Sequence, residues 1–252
     1  MLPAQRHLAT LRLLSEKGCV SMAEIARHFN VSTATARRDA MLLAKSGKVS
    51  RSHGGLLPLN FYRETPGNTA IPAGGASLAV RIARRACELL PHDGNVFIGG
   101  GPIALQVGRL LLDRPELRIY SNSVPLIALA PHAHACVTGI GGEIKKGSRS
   151  LTGGLAHAWL AHLRFDACIL EADGLDEMSG VYVSDADVAA LQTEVLKRSA
   201  MSMLVAEASK WNSRAAVRLA PWASFSSLVT TRDLPRGARI ALGSERVKVC
   251  LT

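Results

Sequence analysis

A chain of 252 residues, 48% apolar and 20% charged, is long enough to bury a full core as one large domain or two modest ones. No apolar run approaches the roughly 20 residues that cross a bilayer. The start, MLPAQRHLATLRLL, has neither a continuous apolar centre nor a small-residue cleavage site, which predicts a cytoplasmic protein with no membrane partner. Five cysteines, Cys19, Cys87, Cys136, Cys168 and Cys250, are odd in number and never in C-x-x-C, so they read as small core residues and indicate no disulfide framework and no metal site. The net charge of +10 is uneven: residues 1–64 carry ten Lys/Arg against four Asp/Glu, and the other 188 carry twenty against sixteen. A small basic head in front of a nearly balanced body suits a polyanion.

In the head, Leu8, Leu11 and Leu14 mark a first helix over residues 5–17, stopped by Gly18. Ser21 and Glu24 form a capping box that opens a second helix through Phe29. After the turn at Asn30 and Val31, Ser32 caps a third helix whose Ala36, Ala40 and Leu43 repeat as a buried stripe, with Gly47 as its end. Two short helices across so tight a turn form the helix-turn-helix pattern, whose second helix enters the major groove of double-stranded DNA. At 100° per residue, Ala34, Arg38, Met41 and Lys45 lie opposite the stripe, with Thr35 and Arg37 on its flanks. Arg38 then faces the groove floor, where its planar fork matches guanine O6 and N7, while hydroxyls and cations at the flank and helix start meet phosphates. GKVSRSHGGLLP follows with the alternation of a small β-hairpin wing, its basic residues available to the DNA.

VSTATARRD and GKVSRSHGG resemble the recognition-helix and wing pattern of the DeoR family of bacterial transcription regulators. The resemblance implies an N-terminal winged helix-turn-helix followed by a sensor domain related to ribose phosphate isomerase. At matching positions it implies a DNA-facing set of Ser32, Thr33, Thr35, Arg37, Arg38, Arg51 and His53, to which the helix geometry adds Lys45.

Residues 58–75 lose all periodicity and read as a linker, which separates a DNA-binding domain over 1–57 from an effector-sensing and oligomerising domain over 76–252. In the second domain apolar runs alternate with helical patterns. Helices are expected at 77–90, 102–112, 154–163 and 187–200, and strands at 95–99, 118–121, 136–140, 166–171, 202–206 and 226–230. This is a Rossmann-like, mostly parallel α/β domain, with a ligand expected beyond the carboxyl ends of its strands. Those ends supply Gly99, Gly100, Gly101, Ser121, Asn122, Gly141, Gly142, Asp173, Gly174, Ser209 and Lys210 as candidates for a small polar or anionic effector. No cofactor is indicated, because GGGPI lacks the second half of a dinucleotide fingerprint.

The resemblance extends through IYSNS, GIGGEIKKGSRSLTGG, ADGLD and VAEASKWN, and implies a phosphorylated sugar or related metabolite as effector. It departs at one loop. The family pattern there is similar to D-x-G-T-T, an acid and two threonines, whereas this chain has Gly99-Gly100-Gly101-Pro102-Ile103, a backbone cradle with no polar side chain. Glu171 stands where the family more often has a small residue and is a candidate to replace the missing acid. The leading reading is a DNA-binding repressor that acts as a homo-oligomer and is not an enzyme. A sugar phosphate isomerase using Asp173, Asp176 or Glu177 with Lys210 is the alternative.

Overall fold

The computed structural model describes residues 3–17, 20–46, 49–51, 55–58, 77–213 and 215–252, and the chain divides into two compact units, Met1–Gly75 and Ala76–Thr252. In the first unit the order is α1 (Pro3–Lys17), β1 (Val20–Ser21), α2 (Met22–Phe29), α3 (Thr33–Lys45), β2 (Val49–Arg51) and β3 (Gly55–Pro58). The capping box forms as expected: the Glu24 amide donates to Ser21 Oγ at 3.1 Å, and the Ser21 amide donates to Glu24 Oε2 at 2.9 Å. Asn30 then turns the chain in the left-handed region at φ 51°, a conformation its short polar side chain tolerates. Ala36, Ala40 and Leu43 are buried with Ile25, Ala26, Leu13, Leu14, Val20, Val49 and Leu56, so one core joins all three helices to the wing strands. The strands order as β1-β3-β2 and pair antiparallel, with Arg51 opposite Leu56.

One expectation for α1 is corrected. Leu8 is 62% exposed, and the buried face runs instead through Arg6, Thr10, Leu13 and Leu14. Arg6 and Thr10 are admitted because each has a partner: Thr10 Oγ1 donates to the Arg6 carbonyl, and Arg6 pairs with Asp39 of α3. The linker expected over 58–75 falls outside the described residues, apart from Pro58 at the end of β3.

The second unit runs α4 (Leu78–Leu89), β4 (Gly94–Ile98), α5 (Pro102–Leu111), β5 (Leu117–Ser121), α6 (Val124–Ile127), β6 (Cys136–Gly139), β7 (Glu143–Ile144), β8 (Leu151–Thr152) and α7 (Gly154–Leu160). It continues through β9 (Phe165–Glu171), β10 (Gly174–Asp176), β11 (Gly180–Val183), α8 (Ala186–Lys197), β12 (Ser199–Val205), β13 (Val217–Ala220), β14 (Ser227–Thr230), α9 (Arg236–Ser244) and β15 (Lys248–Leu251). Seven strands form one parallel sheet in the order β15-β14-β12-β9-β4-β5-β6. Phe97, Cys168, Leu170, Leu204 and Leu228 pack with residues of α7, α8 and α9, while the alternate positions Val96, Ile98, Ile169, Met203 and Val205 are equally buried. The sheet is therefore covered on both faces, the condition under which parallel strands are stable.

Several elements differ from expectation. β10, β11 and β13 make a separate antiparallel sheet, β7 pairs with β8, and α9 and β15 follow the last expected strand. Cys87, Cys168 and Cys250 are buried as expected, but Cys136, on the edge strand β6, is exposed; Cys19 lies outside the described residues. Trp211 and Trp222 stack at 5.6 Å between ring centroids, and the Trp222 Nε1–H donates to the Asp176 carbonyl, tying the small sheet to the core. Among the described residues no helix is long and apolar enough to cross a membrane, and no cluster of His, Cys, Asp and Glu is placed to hold a metal ion.

Candidate nucleic-acid interface and ligand cavity

On α3, burial of Ala36, Ala40 and Leu43 forces the opposite residues outward. Thr33, Ala34, Arg37, Arg38 and Met41 are exposed, and Thr35 is partly so. Ser32 is committed to the helix start, since its Oγ accepts from the Thr35 amide at 3.1 Å and lies 2.9 Å from Thr35 Oγ1. The backbone of Arg51 is placed in β2, but the side chains of Lys45 and Arg51, and the whole of His53, lie outside the described residues.

Asp39, adjacent to Arg38, was not singled out from the sequence and proves to be the anchor of the helix. It is 4% exposed, accepts from Arg6 Nε and Nη2, and has His7 Nε2 at 3.1 Å. Burial pushes its carboxyl up, but the hydrogen bonds and charges of Arg6 and His7 outweigh that and hold it below the usual carboxylate range. The signal was present, an acid one helical turn from the core stripe beside two exposed arginines, but it could have been read equally well as a solvated charge.

In the second unit a cavity of about 190 Å³ opens beyond the carboxyl ends of β4 and β9, with walls from Gly100, Gly101, Glu171 and Asp173. At about 30 Å³ per water this holds some six waters, the scale of a small metabolite. The structure corrects the expectation that the cradle is open at the helix start. Glu171 Oε2 accepts from the amides of Ile103 at 2.8 Å and Ala104 at 3.0 Å, Pro102 has no N–H to offer, and the Leu105 amide goes to the Gly101 carbonyl. The donors of the first turn of α5 are therefore already taken by the chain's own carboxyl. Gly101 makes this possible, because at φ 127° it adopts a backbone that side chains reject, and a Cβ there would strike the Glu171 carboxyl. Burial pushes that carboxyl up to about 8 and the charge of Asp173 adds to the rise, while the Ala104 and Ile103 amides and Lys210 oppose it.

The other candidates have different roles. Gly99 is buried beside Gln192, and Ser121, fully buried, donates to the Ile98 carbonyl. Asn122 Nδ2 donates to the Leu151 carbonyl at 3.2 Å and the Leu151 amide returns to the Asn122 carbonyl, which fixes the segment carrying Ser150 to the cavity wall. Gly141 packs beside Leu155 and Trp159, Gly142 against the Thr152 carbonyl, and Gly174 against the Ser213 carbonyl. None of Ser121, Asn122, Gly141, Gly142, Gly174, Ser209 and Lys210 lines the cavity. Missed from the sequence were Ser150, Ser184, Asp185 and Gln192, the last a buried residue of α8 and the others set by the small sheet and the loop before β8.

The family model described as the DeoR-like helix-turn-helix domain matches residues 6–60, and that of the DeoR C terminal sensor domain matches residues 79–232. The chain is 28% identical over 251 residues to the HTH-type transcriptional regulator GlpR of Haloferax volcanii, spanning 99% of this chain and 98% of the relative. It is 27% identical over 236 residues to the glycerol-3-phosphate regulon repressor of Escherichia coli strain K12, spanning 93% of each. A solved structure of ribose 5-phosphate isomerase A from Methanocaldococcus jannaschii covers 53% of each chain at 15% identity and a TM-score of 0.40. With both models matched in order along its length, the chain belongs to the DeoR family of DNA-binding transcriptional regulators.

Proposed function

We propose that the chain is a repressor whose residues 1–57 bind operator DNA and whose residues 76–252 bind a small polar effector that changes that affinity, the active species being a cytoplasmic homo-oligomer and not an enzyme. The observation that carries this is the division of α3 into a fully buried Ala36, Ala40 and Leu43 stripe and an exposed face bearing Arg37 and Arg38. Exposed arginines on a helix fixed by caps at its start and by Asp39 on its inner side are presented at constant geometry, which base reading requires. Ser32, Thr33, Thr35, Lys45, Arg51 and His53 are assigned to the phosphates around them. The name of the Escherichia coli relative, a regulon repressor, supports the direction of control. Against the isomerase reading, Asp176 is occupied in closing the β10–β11 turn through the Met178 and Ser179 amides, and neither it nor Glu177 lines the cavity.

Electrophoretic mobility shift on the DNA upstream of the chain's own coding sequence tests the reading. A specific complex is expected, and Arg38→Ala should weaken it by about 1–3 kcal/mol while relaxing discrimination at one base position. The absence of any complex, or discrimination that survives Arg38→Ala, overturns it.

A further inference from the structure

Three carboxylates of the protein itself hold backbone amides around the cavity. Glu171 takes the first-turn amides of α5. Asp185 caps α8, its Oδ1 accepting from the amides of Asp187 at 2.8 Å and Val188 at 3.2 Å. Asp173 Oδ2 accepts from the Ser184 amide at 2.7 Å. Each recorded bond uses one oxygen of its carboxylate, and no Lys, Arg or His lines the cavity among the described residues. An independent feature points the same way: Gln192, 2% exposed and part of the wall, leaves its Oε1 acceptor without a partner. A buried orphan acceptor is costly unless a donor arrives.

We propose that this cavity receives an unphosphorylated polyol bearing a protonated amine, whose ammonium meets Glu171, Asp173 and Asp185 and whose hydroxyls meet Gln192 Oε1 and the Ser150 and Ser184 hydroxyls. The proposal rests on the sensing role assigned to this unit and inverts the charge of its ligand. A phosphate would have to evict Glu171 from α5 and then sit among carboxylates, whereas an amine leaves every existing bond in place and supplies the missing donors. The upward push that burial exerts on the Glu171 carboxyl, which the charge of Lys210 only partly offsets, supports this, because a cation in the cavity would relieve it.

Calorimetry and thermal shift on the full chain at neutral pH, without DNA, test the proposal with D-glucosamine and D-galactosamine against D-glucose, D-galactose, glucose 6-phosphate and ribose 5-phosphate. At least one amino sugar should bind about tenfold or more tightly than its neutral parent, the worth of one charge-assisted bond. Glu171→Gln, which keeps the acceptor to α5 and cannot ionise to meet an incoming ammonium, should abolish that preference, and Gln192→Leu should weaken the amino sugar in a chain that still melts cooperatively. Amino sugars binding no better than their parents, a phosphorylated sugar binding more tightly than both, or a preference unchanged in Glu171→Gln overturns the proposal. Because DNA is absent, failure here leaves the repressor reading standing, and failure to shift DNA leaves this result unaffected.

Discussion

Glu171 ends β9 with its carboxyl against the α5 amides, and burial drives its folded value up to about 8 from an ordinary 4.5. The sign of the consequence is fixed by linkage. Below about pH 4.5 the carboxyl is protonated in both the folded and unfolded chain, and the stability tied to this group is fully present. As pH rises toward 8 the unfolded chain releases the proton and the folded one holds it, so stability is lost across that window. Glu171→Gln carries the same acceptor and no proton, so the melting temperature of the parent chain should fall relative to the variant between pH 5 and pH 8. Differential scanning fluorimetry across that range is the measurement, and a constant difference refutes the assignment. Asp39 has the opposite sign. Its depressed carboxyl contributes stability above about pH 4 that fades as pH falls further. Asp39→Asn removes the charge that holds Arg6 at 8% exposure, and the N-terminal unit should melt roughly 5 °C or more lower, with operator binding lost before sensing is.

Among the elements, α2 and α3 were legible because each announces its start with a side chain that can accept a backbone hydrogen bond, and those bonds are the ones present at Ser21 and Ser32. The parallel strands were legible because burial on both faces leaves continuous apolar runs such as ACIL in β9. The small sheet was not, since β10, β11 and β13 are three or four residues long and their pairing is set by contacts distant in sequence. α9 has no side-chain cap and carries Gly237 and Gly243, so no local signal marks it as a helix. The cavity was half legible for the same reason: the strand ends at Gly100, Gly101, Glu171 and Asp173 follow from topology, whereas Ser184 and Asp185 arrive on the unread hairpin. The link between β9 and α5 is the element most open to test. Gly101→Ala would place a Cβ at φ 127° against the Glu171 carboxyl, costing about 1–3 kcal/mol in backbone strain alone. Urea unfolding should show that loss, and equal stability of Gly101→Ala and the parent would mean that the loop reshapes freely.

For the whole molecule, the basic excess of residues 1–64 and the base-reading role proposed for α3 set what one copy can do alone. One winged helix neutralises few phosphates and reads few bases, which is the physical ground for the proposed homo-oligomer, two copies sharing one operator. Two copies related by a twofold axis place their α3 helices on half-sites separated by a whole number of turns, about 10–10.5 base pairs each. Sedimentation at micromolar concentration should therefore show a species larger than the 26.8 kDa chain, and affinity should fall steeply between low and moderate salt. The sharper test is geometric. Inserting about five base pairs between half-sites turns one of them to the opposite side of the duplex and should lower affinity by an order of magnitude or more, and inserting about ten should restore part of it. If the chain sediments as a monomer and both insertions bind as tightly as the parent operator, each copy reads its site alone, and the oligomer is no part of recognition.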